Sequence, residues 1–491
     1  MVNFRQILKS SSIYTVLAFL PTASRILLLP VYLHYLAPEE FAIIGLNTLI
    51  ASLLPLFMTL GLEAAFIRYF FEYKSNEKIL RSYFSTIALS IFLISLLIGL
   101  LVTAFGNPLF HFAFKNPYFT FFPFGISAVL FSIVASQNLL VYAYYRNMQN
   151  VKSYTAFALS IFLSSTIAEA AAIVVFKTGA EGVIWTKLIA TALISMVAWF
   201  TLFRKTGISF DKRFLPSSLK YALPMLPYSL SALVFTSFDR VMIENRFNLA
   251  SLAVYNLSAA IANITDSILF AIQSATYPTV YAMLKKDPNQ NSEEISKTYR
   301  IIGLAVLLII CILVALSPFA VINFLKPVYV QSLSIIPILL MAYFFRYLYI
   351  VFVEPLFFFK DTKKLPWLNI IAGATTIAGN FILLPYFGLI GSAMTTILAR
   401  LLQLSLTLYW YKRVSNIRFK LGYLFPVMVI LGIALLLASY VNTVFPNVHW
   451  LVYFVNTVPL ILLGFFVIFY LFEGNLKPLF KFNFQPIRHR V

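Results

Sequence analysis

Acids and bases stand side by side where the surrounding sequence is apolar. The stretch SALVFTSFDRVMIENRFNLASLAVYNLSAA, Ser231 to Ala260, places Asp239, Arg240, Glu244 and Arg246 between two runs fit for lipid. Arg25, Lys187, Arg346 and Arg400 are further bases inside apolar runs, and Glu169, Asp266 and Glu354 are acids in the same setting. A charge at the centre of a bilayer costs about 3 kcal/mol on insertion scales, so such residues face a bundle interior or a wet cavity. The chemistry open to the bases is anion binding. A guanidinium keeps its charge in low dielectric and presents a planar fork that matches phosphate oxygens. Each base equally admits a plain structural reading, a salt bridge that locks helices together. Arg240 has Asp239 and Glu244 beside it for that purpose, and Glu244 is four residues on, on the same helix face. Arg346 and Glu354 are two turns apart and open to the same pairing. Arg25 has no acid in its own run, and Lys187 also admits a snorkelling role. The acids Glu169, Asp266 and Glu354 are candidates for a coupling proton or sodium ion, or for simple counter-ions. Asp239 with Arg240 and Glu244 forms a candidate gate.

Nothing in the chain speaks for bond-breaking chemistry. His34, His111, His449 and His489 are dispersed, with no HExxH spacing and no Cys/His cluster for a metal. No GxxxxGK[ST] loop is present, which removes ATP hydrolysis by that route. No resident cofactor or metal is expected. Aromatic residues make up 17% of the chain. YAYYRN (Tyr142 to Asn147) and MAYFFRYLYIVF (Met341 to Phe352) offer sugar-stacking surfaces, although interfacial anchoring accounts for most membrane aromatics.

The elements that position these residues follow from composition. The chain has 491 residues, 61% hydrophobic and 11% charged, with a mean hydropathy of +0.87. A soluble protein of that length needs more charge to cover its surface. Apolar runs long enough to cross a ~30 Å hydrocarbon core recur throughout. They give fourteen spans, near 12–36, 40–66, 83–105, 119–143, 154–176, 182–203, 221–245, 250–283, 301–322, 331–357, 366–384, 389–411, 421–444 and 450–472. The fold class is an all-α polytopic membrane protein. Alternate connecting segments hold Arg5 and Lys9; Arg68, Lys74, Lys78 and Arg81; Arg146 and Lys152; Arg204, Lys205, Lys212, Arg213 and Lys220; Lys285, Lys286, Lys297 and Arg300; Lys360, Lys363 and Lys364; Lys412, Arg413, Arg418 and Lys420; and a basic tail with Lys477, Lys481, Arg488 and Arg490. The opposite segments hold only Lys115, Lys177, Arg246 and Lys326. This asymmetry predicts both termini in the cytoplasm. The net charge of +20 then belongs to short loops against anionic lipid, which argues against a nucleic-acid surface. The single Cys311 leaves the redox compartment open. The first span shows no cleavage site and is read as retained.

Two segments repeat. FKTGAEGVIWTKLIA, Phe176 to Ala190, matches PYFGLIGSAMTTILA, Pro385 to Ala399, with Gly179 and Gly182 set 209 residues before Gly388 and Gly391. SRILLLPVYL, from Ser24, lies against DRVMIENRFN, from Asp239, and pairs Arg25 with Arg240 at a separation of 215. Six spans is an even number, so the repeat is parallel and a binding site is expected between its halves. The expected organisation is 1–205 for spans 1–6, 206–412 for spans 7–12, and 413–491 for an appended pair with the basic tail. The glycines either let helices approach and slide or simply make tight turns.

GNFILLPYFGLIGSAMTTILA, Gly379 to Ala399, resembles the signature of the eleventh and twelfth spans in the polysaccharide repeat-unit (Wzx-type) flippases of the multidrug/oligosaccharidyl-lipid/polysaccharide exporter superfamily. SFDRVMIENRFNLASLAVYNLSAAI resembles that family's seventh-to-eighth span segment, and YLAPEEFAIIGLNTLI with LGLEAAFIRYF resembles its first-to-second span junction. Ala42 stands where the family commonly has Gly. The resemblance covers all fourteen spans. It implies two pseudo-symmetric six-helix lobes plus two C-terminal helices, an alternating-access cycle, and a place in the bacterial or archaeal cytoplasmic membrane. The implied cargo is an undecaprenyl-pyrophosphate-linked oligosaccharide for O-antigen, capsule or exopolysaccharide, with the polymerase and chain-length regulator as partners. On that reading Arg25, Arg240, Arg346, Arg400 and Lys187 line a cationic cavity. The competing readings are a lipid II-type peptidoglycan precursor flippase, a cation-drug antiporter of the same superfamily, a membrane-embedded polymerase or ligase, and a non-transporting scaffold. The antiporter calls for an acidic cavity, the enzyme calls for a sizeable outer loop, and the scaffold leaves intramembrane Arg without a purpose.

Overall fold

The computed structural model describes residues 14, 16–17, 19–286, 292–359, 364–415, 417, 419–421 and 424–472, with the backbone alone at 274–275, 277–279, 282, 285–286 and 468–472. Arg5, Lys9, Lys360, Lys363, Arg418 and the basic tail beyond residue 472 lie outside the described residues.

The described chain is helical. Its helices are α1 (Leu20–Tyr35), α2 (Pro38–Thr59), α3 (Leu62–Tyr73), α4 (Glu77–Ala104), α5 (Gly106–Ala113), α6 (Ile126–Asn147), α7 (Val151–Val174) and α8 (Gly179–Thr206). They continue with α9 (Phe214–Ala222), α10 (Leu226–Arg246), α11 (Leu249–Lys286), α12 (Ser292–Phe324), α13 (Ser332–Phe358), α14 (Leu365–Val414), α15 (Leu424–Val444) and α16 (His449–Phe472). The starts follow ordinary capping chemistry. Asn76 Oδ1 accepts from the amides of Lys78 and Ile79 at 3.1 and 3.2 Å, and Asn248 accepts from Ser251 N at 2.8 Å. Among the described residues, twelve helical stretches are long and apolar enough to span a membrane. One of them, α14, breaks at Gly388 (φ 58°, ψ −143°), and Gly379 then lies against Thr395. Its 50 residues therefore make a hairpin of two passes. With the shorter α1 (16 residues), the described residues place a helical segment at each of the fourteen positions expected from hydropathy.

Several element boundaries differ from the sequence expectation, and the third and ninth spans begin earlier, at Glu77 and Ser292. The second span does not run on to 66, because Leu60 and Gly61 both adopt left-handed φ (49° and 73°) and start a new helix, α3. The seventh span begins earlier, as α9, and bends at a 3₁₀ turn, Leu223–Met225, where Pro224 and Pro227 withhold amide donors. The short helix α5 precedes the fourth span.

The repeat is visible as paired local structure. Gly179 and Gly388 both take positive φ (66° and 58°), a conformation that favours glycine. Thr186 Oγ1 donates to Gly182 O at 2.7 Å, and its counterpart Thr395 Oγ1 donates to Gly391 O at 2.9 Å. The segment after α8 donates Ser209 N to Ser85 Oγ at 2.8 Å. The segment after α14 donates Lys420 N to Ser296 Oγ at 3.0 Å. Donor and acceptor are 124 residues apart in both clasps.

By compactness the chain divides into residues 1–260 with 363–399, and 261–362 with 400–491. The first unit has an aromatic core in which Phe66, Phe70, Tyr83 and Phe84 are fully buried among α3, α4, α6 and α8. Within the second, Ser439 Oγ donates to Ser334 O at 2.5 Å and Asn442 Nδ2 donates to Leu333 O at 2.7 Å, fastening α15 to α13. Asn456 Nδ2 donates back to Asn442 Oδ1 at 2.9 Å and ties α16 to the same point. Such polar fasteners stand in for the hydrophobic driving force that lipid removes.

Candidate functional site

In the first unit, Ser24 and Thr166 join α1 to α7 through their hydroxyls at 2.7 Å. Two turns along α1 and one along α7, Tyr32 O–H donates to Glu169 Oε2 at 2.5 Å, and Lys187 Nζ of α8 stands 3.6 Å from Glu169 Oε1. Glu169 is 1% exposed, so Lys187 serves it as counter-ion. Arg25 is exposed, yet it lies in electrostatic reach of Arg240, Glu169 and Tyr32, groups of three different helices. One of these groups, Arg240, is the residue the repeat pairs with Arg25.

Arg240 is held on three sides. Its Nε donates to Asn256 Oδ1 at 3.1 Å, its Nη1 donates to Thr236 O at 3.0 Å, and the same nitrogen lies 3.4 Å from Asp239 Oδ1. Asp239 in turn accepts from Tyr255 O–H at 2.5 Å. The Asn256 amide fills the space above Gly45 of α2, where a Cβ would sit 2.4 Å from its nitrogen. Glu244 does not pair with Arg240. It accepts from the amides of Asn116 at 2.7 Å and Lys115 at 3.0 Å, while Asn245 Nδ2 donates to Ala113 O at 2.7 Å. These bonds fasten the end of α10 to the segment after α5. Arg246 is exposed at the end of α10.

In the second unit, α11 and α13 carry a ladder of polar pairs at nearly constant spacing. Tyr343 O–H donates to Asn263 Oδ1, Arg346 forms an ion pair with Asp266, and Gln273 Nε2 donates to Glu354 Oε1 at 3.3 Å. The constant spacing means that the two helices run parallel and in register. Arg400 of α14 is 6% exposed, donates to Gln403 Oε1 at 3.1 Å, and lies in electrostatic reach of Arg346, Tyr343 and Asp266. The Arg346–Asp266 pair thus has a second guanidinium, Arg400, within electrostatic reach. Glu354 does not pair with Arg346. It is 1% exposed and accepts from Tyr299 O–H of α12 at 2.6 Å.

Sequence reasoning missed the phenols. Tyr32, Tyr255 and Tyr299 each donate to a buried or largely buried acid, and the only signal for them was a tyrosine inside an apolar run. It missed Asn256 and Gln273 for the same reason, since a lone amide in a span carries no motif. Basic side chains gather in both units among the described residues. Among the described residues, no three His, Cys, Asp or Glu side chains gather to hold a metal ion.

The fold is helical, membrane-spanning and internally repeated. A family model described as polysaccharide biosynthesis protein matches residues 34–334, and the chain belongs to that family. Among solved structures it is similar to the lipid II flippase MurJ in an inward closed conformation, with a TM-score of 0.65 and 16% identity over 93% of this chain and 98% of that one. It is also similar to an inward-facing multidrug resistance MATE family transporter of the MOP superfamily, with a TM-score of 0.61 and 15% identity over 81% of this chain and 95% of that one. An outward-facing MATE family transporter of the same superfamily gives 0.55 and 14%, over 85% and 96%. No curated protein sequence matches the chain.

Proposed function

We propose that this chain is a flippase that moves undecaprenyl-pyrophosphate-linked oligosaccharide repeat units across the cytoplasmic membrane by alternating access, driven by an ion, for surface polysaccharide assembly. The membership in the polysaccharide biosynthesis family supports the pathway. The observation that supports the substrate class is guanidinium gathered in both units, with Arg25 in electrostatic reach of Arg240 and Arg400 in reach of Arg346. Guanidinium at such depth is costly without an anionic partner, and a pyrophosphate offers one with matching oxygen geometry. The prenyl tail stays in lipid while the head group crosses through polar space. Both termini face the cytoplasm on this reading, and polymerase and chain-length regulator act on the product outside. A drug antiporter of the same fold would call for a cation site, which the gathered guanidinium groups oppose. A catalytic role has no support in the arrangement of side chains.

The test is genetic. Deletion should abolish repeat-unit polysaccharide at the surface and leave lipid-linked units on the inner leaflet. Arg25→Ala should reproduce that loss at normal protein level. Full surface polymer in the variant would remove Arg25 from the site, and retained polymer with new drug sensitivity in the deletion would favour the antiporter.

A further inference from the structure

The carboxylates in or at the ends of the spans differ in what compensates them. Glu169 has Lys187, Asp239 has Arg240, and Asp266 has Arg346. Glu244 has two backbone amides. Glu354 has neither a cation nor a backbone amide among the described residues. Its partners are the Tyr299 O–H and the Gln273 amide, both neutral. The ionisable groups in electrostatic reach of Glu354 and Tyr299 are phenols, namely Tyr281 on α11, Tyr347 on α13 and Tyr411 on α14. An ionised carboxylate taken out of water costs several kcal/mol unless it is paired, and in practice such a group neutralises itself.

We propose that Glu354 binds a proton, and that this proton is the ion exchanged for the cargo. The chemistry of the partners selects a proton over sodium. A hard metal cation takes several oxygen ligands, whereas Tyr299 and Gln273 turn hydrogens toward the carboxylate. A single proton added to Glu354 removes the buried charge and leaves the phenol a neutral acceptor to hold. Release of that proton leaves a carboxylate held only by neutral donors, without a counter-ion, at the meeting of α11, α12 and α13, and this favours entry of water between those helices. The ladder ties the event to the guanidinium cluster, because Gln273 and Glu354 lie on the same two helices as Asp266 and Arg346. The exchange with cargo rests on the flippase reading, while proton binding at Glu354 does not.

Two measurements separate them. The purified wild-type chain in nanodiscs should show, in infrared difference spectra between acid and alkaline buffer, a carboxylic C=O band that is lost in Glu354→Gln. Tyr299→Phe, which keeps the carboxyl group, should shift that band, and it serves as the readout if Glu354→Gln fails to fold. A wild-type band unchanged in either variant overturns the proton site. In proteoliposomes, flipping of a fluorescent undecaprenyl-pyrophosphate-linked sugar should accelerate under a proton gradient and ignore a sodium gradient, and Glu354→Gln should lose the proton response. A variant that keeps the response, or a wild type driven by sodium, overturns the exchange. A wild type that flips no lipid under any gradient sinks the flippase reading and leaves the infrared result to stand on its own.

Discussion

Glu169 in the first unit and Glu354 in the second are built from nearly the same parts. Each is 1% exposed, and each accepts a tyrosine O–H, at 2.5 and 2.6 Å. They part at the other oxygen. Glu169 meets the Lys187 ammonium, and Glu354 meets the Gln273 amide. One cation fewer changes the physics. The Glu169–Lys187 ion pair joins α7 to α8, whereas Glu354 has only neutral partners, Tyr299 and Gln273, among the described residues. On the proposal above, the variable charge belongs to the second unit.

The comparison breaks most completely if the missing cation is supplied. Gln273→Lys should turn the Glu354 site into a copy of the Glu169 site and abolish the proton-gradient response of flipping, read in the same proteoliposomes. A variant that still follows the gradient would show that the counter-ion is not what divides the two acids. The converse change is smaller. Lys187→Met leaves Glu169 buried without its partner, and removing one member of a buried pair costs about 3–5 kcal/mol. Lys187 is one-third exposed, so about 2–3 kcal/mol is expected. The loss should appear as a lower melting temperature in detergent, with most of it recovered in Lys187→Met/Glu169→Gln. An unchanged melting temperature in the single variant would show that Lys187 only snorkels.

Much of the fold was legible in the sequence because membrane spans are written in composition. Hydropathy alone placed the passes, and the paired glycines marked the repeat that Gly179 and Gly388 confirm with their positive φ. The breaks were not legible. Leu60 looks like any span residue, and only the left-handed turn it shares with Gly61 ends α2 there. The charged residues were found because charge is rare in such a chain, yet their partners were assigned along single helices. The real partners come from neighbouring helices. Glu244 turned from Arg240 to the amides of Lys115 and Asn116, and Arg346 turned from Glu354 to Asp266. Periodicity reports which face a residue occupies and says nothing of the helix opposite.

The central claim is that intramembrane guanidinium serves an anionic lipid-linked cargo. The most direct test reconstitutes the wild-type chain with a fluorescent undecaprenyl-pyrophosphate-linked sugar and follows quenching by external dithionite. The account predicts that quenching proceeds past the outer leaflet to nearly the whole pool, and that Arg25→Ala and Arg400→Ala hold it at the outer-leaflet fraction. Quenching that stops at the outer leaflet with the wild-type chain, or runs to completion in both variants, would contradict it.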